Sequence, residues 1–369
     1  MIRYPGKLAL QQRVLTPYRA AFFDALAAVC DGGLSVFAGL PRPEESIATT
    51  AELNVAHYTQ ARNLHFLRGP LYLCYQRGLL NWLADCNPDV LIMEANPRYL
   101  STPPAVRWMK QLGRPVIGWG LGGAPLTGPL SNLRESRRAS FLRRFDGLIT
   151  YSRRGADEYA ALGCPTDKIF VAPNAASPRP TSPLPLRAPT FNGKPSVLFV
   201  GRLQKRKRID NLLQACAALP ENLQPRLVIV GDGPERTSLE RLAKTMYPNA
   251  EFPGARYGSE LATYFSSADL FVLPGTGGLA VQEAMSYGLP VIMGQGDGTN
   301  DDLVRPENGW QLIDPKKLSD VLCEALSDVS RLRAMGAESY RIVSEETNLE
   351  QMVEVFMEVL IRLNPREAR

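Results

Sequence analysis

The chain has 369 residues, of which 45% are hydrophobic and 21% charged, a composition typical of a globular protein with room for two domains. Its net charge of +5 is modest, and it fits anionic ligands or an anionic membrane surface without distinguishing them. No apolar run approaches the ~20 residues that a membrane span needs, and the first residues lack the apolar core of a signal peptide. We therefore expect a cytoplasmic location.

The cysteine and histidine content argues against metal sites and disulfides. The six cysteines contain no Cys-x-x-Cys pair, and His57 and His65 are the only histidines. This pattern favours reduced thiols over a disulfide framework or a zinc centre. We expect no metal and no cofactor.

The first half of the chain alternates short apolar runs with segments of helical spacing. Such alternation predicts an α/β fold with a doubly wound parallel sheet, whose functional edge is formed by the loops that follow the strands. The predicted strands are residues 7–10, 34–37, 64–67, 89–93, 115–119, 147–151 and 169–172. The predicted helices are residues 18–29, 71–86, 104–112 and 155–162.

Three loops of this half carry polar or aromatic residues after predicted strands. They supply the ligand-site or cleft candidates, in which Trp119 is expected to be exposed: Tyr18, Arg19, Asn96, Arg98, Trp119 and Gly120. For each loop, a purely structural turn remains the alternative to a ligand contact.

Arginines are concentrated between residues 134 and 154, with apolar residues among them. The segment contains Arg134, Arg137, Arg138, Arg143, Arg144, Arg153 and Arg154, together with Leu133, Phe141, Leu142 and Phe145. Mixed basic and apolar residues at helical spacing suit an anionic membrane surface. A solvated helix face or a funnel for acidic substrates remains open as the alternative.

A proline-rich stretch divides the chain. Seven prolines occur in residues 173–195, and this density favours an extended, semi-rigid segment. The predicted organisation is an N-terminal Rossmann-like domain (1–180), a linker (181–195), a C-terminal Rossmann-like domain (196–345) and a final helical segment (346–369).

The second half contains two candidate anion sites. A predicted strand at residues 197–201 is followed by five cations in residues 202–208, which form either a phosphate site or a solvated charge run. Residues 270–293 read as strand, glycine-rich loop, helix and strand, which would place free backbone N–H groups at a helix start. An ordinary crossover is the alternative there. Glu283, in the first two turns of that helix, suits a ribose diol better than a phosphate.

These two motifs together resemble the signature of retaining glycosyltransferases of family 4, which have the GT-B fold. The matching residues are Gly201, Arg202, Leu203 and Lys207 in the first motif, and Glu283, Ala284, Met285, Gly288, Pro290 and Val291 in the second. The resemblance implies two Rossmann-like, doubly wound domains that face a central cleft, with the final helix crossing back to the N-terminal domain.

The resemblance also implies roles for individual residues. Arg202 and Lys207 would be the catalytic pair that neutralises the leaving diphosphate, and Glu283 would hold the ribose. The remaining donor-binding candidates are Gly201, Arg256, Gly277, Gly278 and Leu279. Three positions depart from the family pattern: Gly275 replaces a glutamate, Leu121 a histidine and Arg208 a glycine.

The expected function is retaining transfer of a sugar in the synthesis of cell-envelope or exported polysaccharide. The donor would be a UDP- or GDP-linked sugar and the acceptor a glycan or a lipid-linked glycan, with an anionic membrane surface as a further partner and no nucleic acid. Two alternatives stay open: a sugar-nucleotide epimerase with the same fold, and a catalytically degenerate protein that binds a nucleotide or a partner.

Overall fold

The computed structural model describes residues 3–45, 47–296, 298 and 302–364. The chain forms two units: the residues up to Ala176 together with those from Leu349 onward, and Ser177–Asn348. The predicted division was 1–180, a linker at 181–195, 196–345 and 346–369, whereas the second unit begins at Ser177 and includes the stretch predicted to be a linker. The first unit is thus built from two separate stretches of chain. Residues 1, 2 and 365–369 of the predicted terminal segments lie outside the described ranges.

The first unit contains a parallel sheet of seven strands. The strands of this unit, seven in the sheet and two in a separate hairpin, are β1 (Leu8–Val14), β2 (Leu34–Gly39), β3 (His57–Gln60), β4 (Arg62–Phe66), β5 (Leu73–Arg77), β6 (Val90–Glu94), β7 (Val116–Gly120), β8 (Gly147–Thr150) and β9 (Ile169–Val171). The sheet order is β3-β2-β1-β6-β7-β8-β9, while β4 and β5 pair separately. Its central strands are buried on both faces, as expected for a parallel sheet covered by helices.

The helices of the first unit connect these strands. They are α1 (Pro17–Ala28), α2 (Leu79–Cys86), α3 (Thr102–Gln111), α4 (Ser131–Leu142) and α5 (Arg153–Ala161). α1 begins with a proline, whose missing N–H costs nothing at a first turn. The Ser152 side chain caps α5 by accepting the N–H of Gly155.

Residues 64–86 differ from their predicted structure. Residues 64–67 were expected to be a strand of the main sheet, but β4 pairs antiparallel with β5, and the edge strand of the main sheet is β3. The helix predicted over 71–86 starts only at Leu79, because Gly78 has a φ of 86° and separates it from β5. The apolar spacing of this segment fits a strand and a helix equally well.

The basic segment of the first unit also differs from expectation. Phe141, Leu142 and Phe145, which were expected to accompany the arginines at a membrane surface, are buried in the hydrophobic core. Leu133 remains exposed on α4. The helix thus presents arginines with few apolar neighbours.

The second unit is a six-stranded parallel sheet with helices. Its strands are β10 (Ser196–Val200), β11 (Arg226–Val230), β12 (Glu251–Gly254), β13 (Leu270–Leu273), β14 (Val291–Gly294) and β15 (Gly309–Leu312), in the order β12-β11-β10-β13-β14-β15. Its helices are α6 (Ile209–Ala217), α7 (Arg236–Met246), α8 (Gly258–Ser267), α9 (Leu279–Ser286), α10 (Leu318–Ser327) and α11 (Val329–Glu345).

The proline-rich stretch belongs to the second unit. Arg187 donates to the backbone oxygens of Phe265 and Tyr287 at 3.1 and 2.9 Å, and the Tyr340 hydroxyl donates to the Ser182 carbonyl at 2.5 Å. The segment expected to be a linker is therefore held against the surface of that unit.

The last helix, α12 (Leu349–Leu363), completes the core of the first unit. The Phe356 ring lies 4.9 Å from that of Phe22 on α1 and 5.1 Å from that of Trp119, measured between centroids. Within the described ranges, no helix combines the length and the apolar character that crossing a bilayer requires.

Candidate functional site

The candidate donor site lies at the point where the second sheet changes direction. From β10 the chain continues to β11 and β12 on one side, and only later adds β13 on the other. In open α/β sheets, ligands bind outside the carboxyl ends of the two strands that flank this change of order. The loops at these ends are residues 201–208 after β10 and 274–278 after β13.

Lys207 is the cation that joins these two loops. It lies in a single 3₁₀ turn, Lys205–Lys207, and only 9% of its surface is exposed. Its ammonium Nζ donates to the Thr276 carbonyl at 2.7 Å, and the Thr276 N–H donates to the Arg206 carbonyl at 3.1 Å. A buried ammonium is costly without oxygen partners, so this geometry fixes a positive charge beside the glycine-rich loop.

Two glycines allow this close approach. A Cβ at Gly275 would lie 2.1 Å from the Arg206 carbonyl oxygen, and a Cβ at Gly277 would lie 2.7 Å from the Lys207 Nζ. Gly277 also has a φ of 92°, which favours glycine. The position where the family pattern has a glutamate is thus filled by the backbone of the facing turn.

The start of α9 lies next to this loop. Gly278 precedes the helix, and Leu279 is its first residue and is exposed. The first N–H groups of an α-helix lack intrahelical partners and carry partial positive charge, which suits an anion. The Lys207 ammonium, bound to the Thr276 carbonyl, therefore lies beside the loop that leads into this end of α9.

Glu283 lies one turn further along α9 and is partly buried. Burial raises the pKa of its carboxyl above its usual range. Burial is the only cause of this pKa shift, so among the described residues no cationic side chain stabilises the ionised carboxylate. Such a carboxylate has its oxygens available to accept hydrogen bonds from a diol.

The remaining donor-side predictions are less enclosed. Arg202 is exposed just after β10 and Gly201, and Arg256 lies after β12 with a guanidinium nitrogen 3.8 Å from a carboxylate oxygen of Glu260. The structure thus brings Gly201, Arg202 and Lys207 into one loop. It places Arg256 in the loop after β12, at the edge of the same sheet.

In the first unit, the prediction for Trp119 is wrong as regards exposure. Only 2% of its surface is accessible, and the guanidinium carbon of Arg19 lies 4.8 Å from the centre of its ring. Arg19 is itself buried, stacks on Tyr151 at 5.2 Å and donates to Asn174 Oδ1 at 2.8 Å. Trp119 and Arg19 pack in the core because α12 covers them, a long-range contact invisible in the local pattern.

The other first-unit candidates lie in turns. Asn96 accepts the N–H of Arg98 through Oδ1 at 3.1 Å, a short-range turn, and the Arg98 side chain is exposed. Gly120 has no space for a side chain, because a Cβ there would lie 2.7 Å from the Tyr159 hydroxyl. Tyr18 is partly exposed at the start of α1.

Sequence reasoning singled out the loops that contain Arg13 and Glu94 but did not name these two side chains as site residues. Glu94 ends β6 and Arg13 lies at the end of β1, the two strands at which the first sheet changes direction. The Arg13 N–H donates to Glu94 Oε2 at 2.9 Å. Burial raises the pKa of Glu94, and the charge of Arg13 opposes that shift. Their position at the carboxyl ends of strands was the signal that could have found them.

Among the residues that the structure describes, no group of three or more His, Cys, Asp or Glu side chains is arranged to hold a metal ion. The six cysteines are free thiols.

Two family models match the chain. The model for the glycosyl transferase 4-like domain matches residues 12–175, and the model for glycosyl transferases group 1 matches residues 187–342. Together they cover parts of both units.

Curated relatives match shorter stretches. A GDP-mannose-dependent alpha-mannosyltransferase of Mycobacterium tuberculosis (strain CDC 1551 / Oshkosh) is 44% identical over 127 residues, which are 33% of this chain and 31% of that protein. The putative colanic acid biosynthesis glycosyltransferase WcaL of Escherichia coli (strain K12) is 28% identical over 202 residues, 52% of this chain and 49% of that protein. The chain thus spans about a third to a half of the length of these relatives.

A solved structure matches over nearly the whole chain. HepE (Alr3699) of Anabaena, in complex with UDP, has a TM-score of 0.68 at 16% identity and covers 97% of this chain and 100% of its own. At this identity the likeness concerns the fold alone. It confirms the predicted α/β class with two Rossmann-like units of the GT-B type.

Proposed function

Since the chain belongs to the group 1 glycosyltransferases, we propose that it moves a sugar from a nucleotide diphosphate to a glycan or lipid-linked acceptor, with retention at the anomeric carbon. One observation carries the proposal: the Lys207 ammonium is held by the Thr276 carbonyl beside the glycine loop and the start of α9. Three features that favour a diphosphate thus meet at one sheet edge.

In the proposed reaction, the bond between the anomeric carbon and the diphosphate oxygen breaks as the acceptor hydroxyl attacks from the same face. The hydroxyl proton passes to the departing phosphate oxygen, so charge and atoms balance. Lys207 and Arg202 stabilise the negative charge that develops on that oxygen, which is typically a large catalytic contribution. Glu283 holds the ribose hydroxyls, and no step requires a metal or another cofactor.

GDP-mannose is the first donor to test, because the mannosyltransferase relatives depend on it. Synthesis of cell-envelope glycans is the proposed setting, supported by the colanic acid relative. We further propose that the protein is cytoplasmic and attaches peripherally to an anionic membrane that carries the acceptor.

The donor site is tested by thermal unfolding with UDP, GDP, ADP and GDP-mannose. A nucleotide at ~100 times its dissociation constant adds ~2.7 kcal/mol to the free energy of unfolding. We expect a clear shift with one diphosphate, its loss in Lys207→Ala, and its retention in Lys205→Ala, which removes an equal charge from the same turn.

An absence of any shift would contradict the donor site and favour a protein that binds a partner instead. A nucleotide shift without transfer to any glycan acceptor, but with a changed sugar on the recovered donor, would identify the epimerase alternative.

A further inference from the structure

The antiparallel hairpin of β4 and β5 has its polar residues inside. On its inner face Gln76 is buried, donates to the Gln12 carbonyl and to Asn63 Oδ1 at 2.9 Å each, and accepts from Gln11 at 2.5 Å. Asn63 in turn donates to the Arg13 carbonyl at 2.8 Å. These bonds anchor the hairpin to the first unit through polar contacts.

The outer face is apolar. Leu64 pairs with Tyr75 and Phe66 with Leu73 across the two strands, and side chains alternate along a strand, so these four share the face opposite Gln76. Phe66 and Tyr75 are exposed, and the turn between the strands adds Leu67 at 61% and Leu71 at 69% exposure. Contiguous exposed apolar residues of this kind mark an interaction surface.

The charged side chains that the hairpin itself contributes are all positive. Residues 62–77 contain three arginines and no acidic residue. Arg62 lies directly opposite Arg77, an arrangement of like charges that is unfavourable unless an anion compensates it. In the described parts of the chain neither of these two forms an ion pair, while Arg68 at the turn lies 3.8 Å from Glu44.

We propose that this face, which we call the hairpin face (Leu64, Phe66, Leu67, Leu71, Leu73 and Tyr75 with Arg62, Arg68 and Arg77), docks on an anionic lipid bilayer. Apolar and aromatic residues enter the interface while arginines bind lipid phosphates at its rim. An anionic bilayer matches both the apolar surface and the positive charge of the hairpin arginines. The inference rests on the proposed lipid-linked acceptor and names the surface that meets the lipid.

The hairpin face fits this partner better than α4 does. The apolar residues next to the α4 arginines are largely buried, so α4 offers charge with little surface to insert. Stable association with a bilayer generally needs both kinds of attraction.

The test is sedimentation of the full chain with vesicles of phosphatidylcholine alone or of equal parts phosphatidylcholine and phosphatidylglycerol. We expect binding to the anionic vesicles, about tenfold weaker binding for Phe66→Ser with Leu71→Ser, and about 30-fold weaker binding for Arg62→Gln with Arg77→Gln. The matched control on α4, Leu133→Ser with Arg134→Gln, should bind within about twofold of the unchanged chain.

Unchanged vesicle binding of both hairpin variants, binding lost only in the α4 variant, or no binding of the unchanged chain would each overturn the proposal. Far-UV circular dichroism and the unfolding midpoint verify that the variants are folded. Gel filtration detects self-association: a dimer that the hairpin variants abolish would assign the face to a second copy instead. The nucleotide shift separates the proposals, because its loss with vesicle binding intact contradicts only the donor site.

Discussion

Lys207 and Gly277 are the residues whose placement decides what the donor loop can do. The sequence predicted a lysine and a glycine-rich loop at one sheet edge, but the direct contact of Nζ with the Thr276 carbonyl is a three-dimensional result. It arises because the turn after β10 and the loop after β13 pack backbone against backbone. No local pattern reports such a distance.

Gly277→Ala is expected to lower the transfer rate by about 10²-fold, because the new methyl group displaces the ammonium from its position. The rate is measured as steady-state sugar transfer from the donor whose nucleotide shifts thermal unfolding. In a Lys207→Met background the same change should cost less than about twofold. Gly193→Ala, at a φ of 81° in open space, controls for backbone strain; equal losses in both backgrounds would contradict the contact.

Glu283→Gln is expected to raise stability at neutral pH and weaken nucleotide binding. Burial raises the folded pKa of Glu283, so its ionised form destabilises the fold above the usual carboxyl range. The stability advantage of glutamine should shrink as pH falls through the raised folded pKa and vanish below the unfolded pKa. Urea unfolding from acid to neutral pH checks this, and an advantage independent of pH would exclude the linkage.

Arg208 adopts a φ of 54° and a ψ of 39°, a left-handed conformation that costs a residue with a Cβ ~1 kcal/mol. This explains why the family pattern has a glycine there. Arg208→Gly should therefore raise the unfolding midpoint by about 2 to 4 °C in scanning calorimetry. Glycine also increases the conformational entropy of the unfolded chain, and this effect reduces the rise. A lower midpoint would show that the arginine makes compensating contacts.

At the scale of elements, the structure of the segment from β4 to α2 could not be predicted from its pattern of apolar residues. Most parallel strands were predictable because they are buried apolar runs between turn signals, whereas the polar edge strand β3 was not predicted. The hairpin was not, since its buried face consists of polar residues such as Gln76 that bond to β1. Burial of polar side chains depends on partners far away in sequence.

Gln76→Leu should destabilise the first unit by ~2 kcal/mol, because the side chains of Gln11 and Asn63 lose buried partners. Urea unfolding followed by tryptophan fluorescence suits this measurement, since three of the four tryptophans (Trp82, Trp108 and Trp119) lie in this unit. The exposed Gln60→Leu serves as the control and should change stability by less than ~0.5 kcal/mol. Equal effects of the two changes would show that the hydrogen bonds contribute nothing.

At the scale of the molecule, the division into two units followed from the second alternating pattern after the proline-rich stretch. The family signature added the expectation that the last helix returns to the N-terminal domain, and α12 does belong to the first unit. The burial of Trp119 beneath Phe356 could not be foreseen, because these residues are far apart in the chain. Trp119, which the sequence analysis placed in an exposed loop, is therefore a core residue.

Phe356→Ala should cost the first unit about 3 to 5 kcal/mol, the usual range for a large buried aromatic. The thermal shift with nucleotide, which reports on the second unit, should persist. Glu354→Ala, on the exposed side of α12, is the control. Loss of the nucleotide shift in Phe356→Ala would show that the second unit depends on this helix.

The first unit is built from two separate stretches of chain, and this has a consequence during synthesis on the ribosome. The apolar surface of α1 that α12 covers cannot be closed until the whole second unit has emerged, which takes roughly 10 to 35 s at ~5 to 20 residues per second. The second unit is therefore able to fold while the first still exposes Phe22 and Trp119. The nascent chain is a client for chaperones throughout that interval, and the first unit is the last part of the protein to become native.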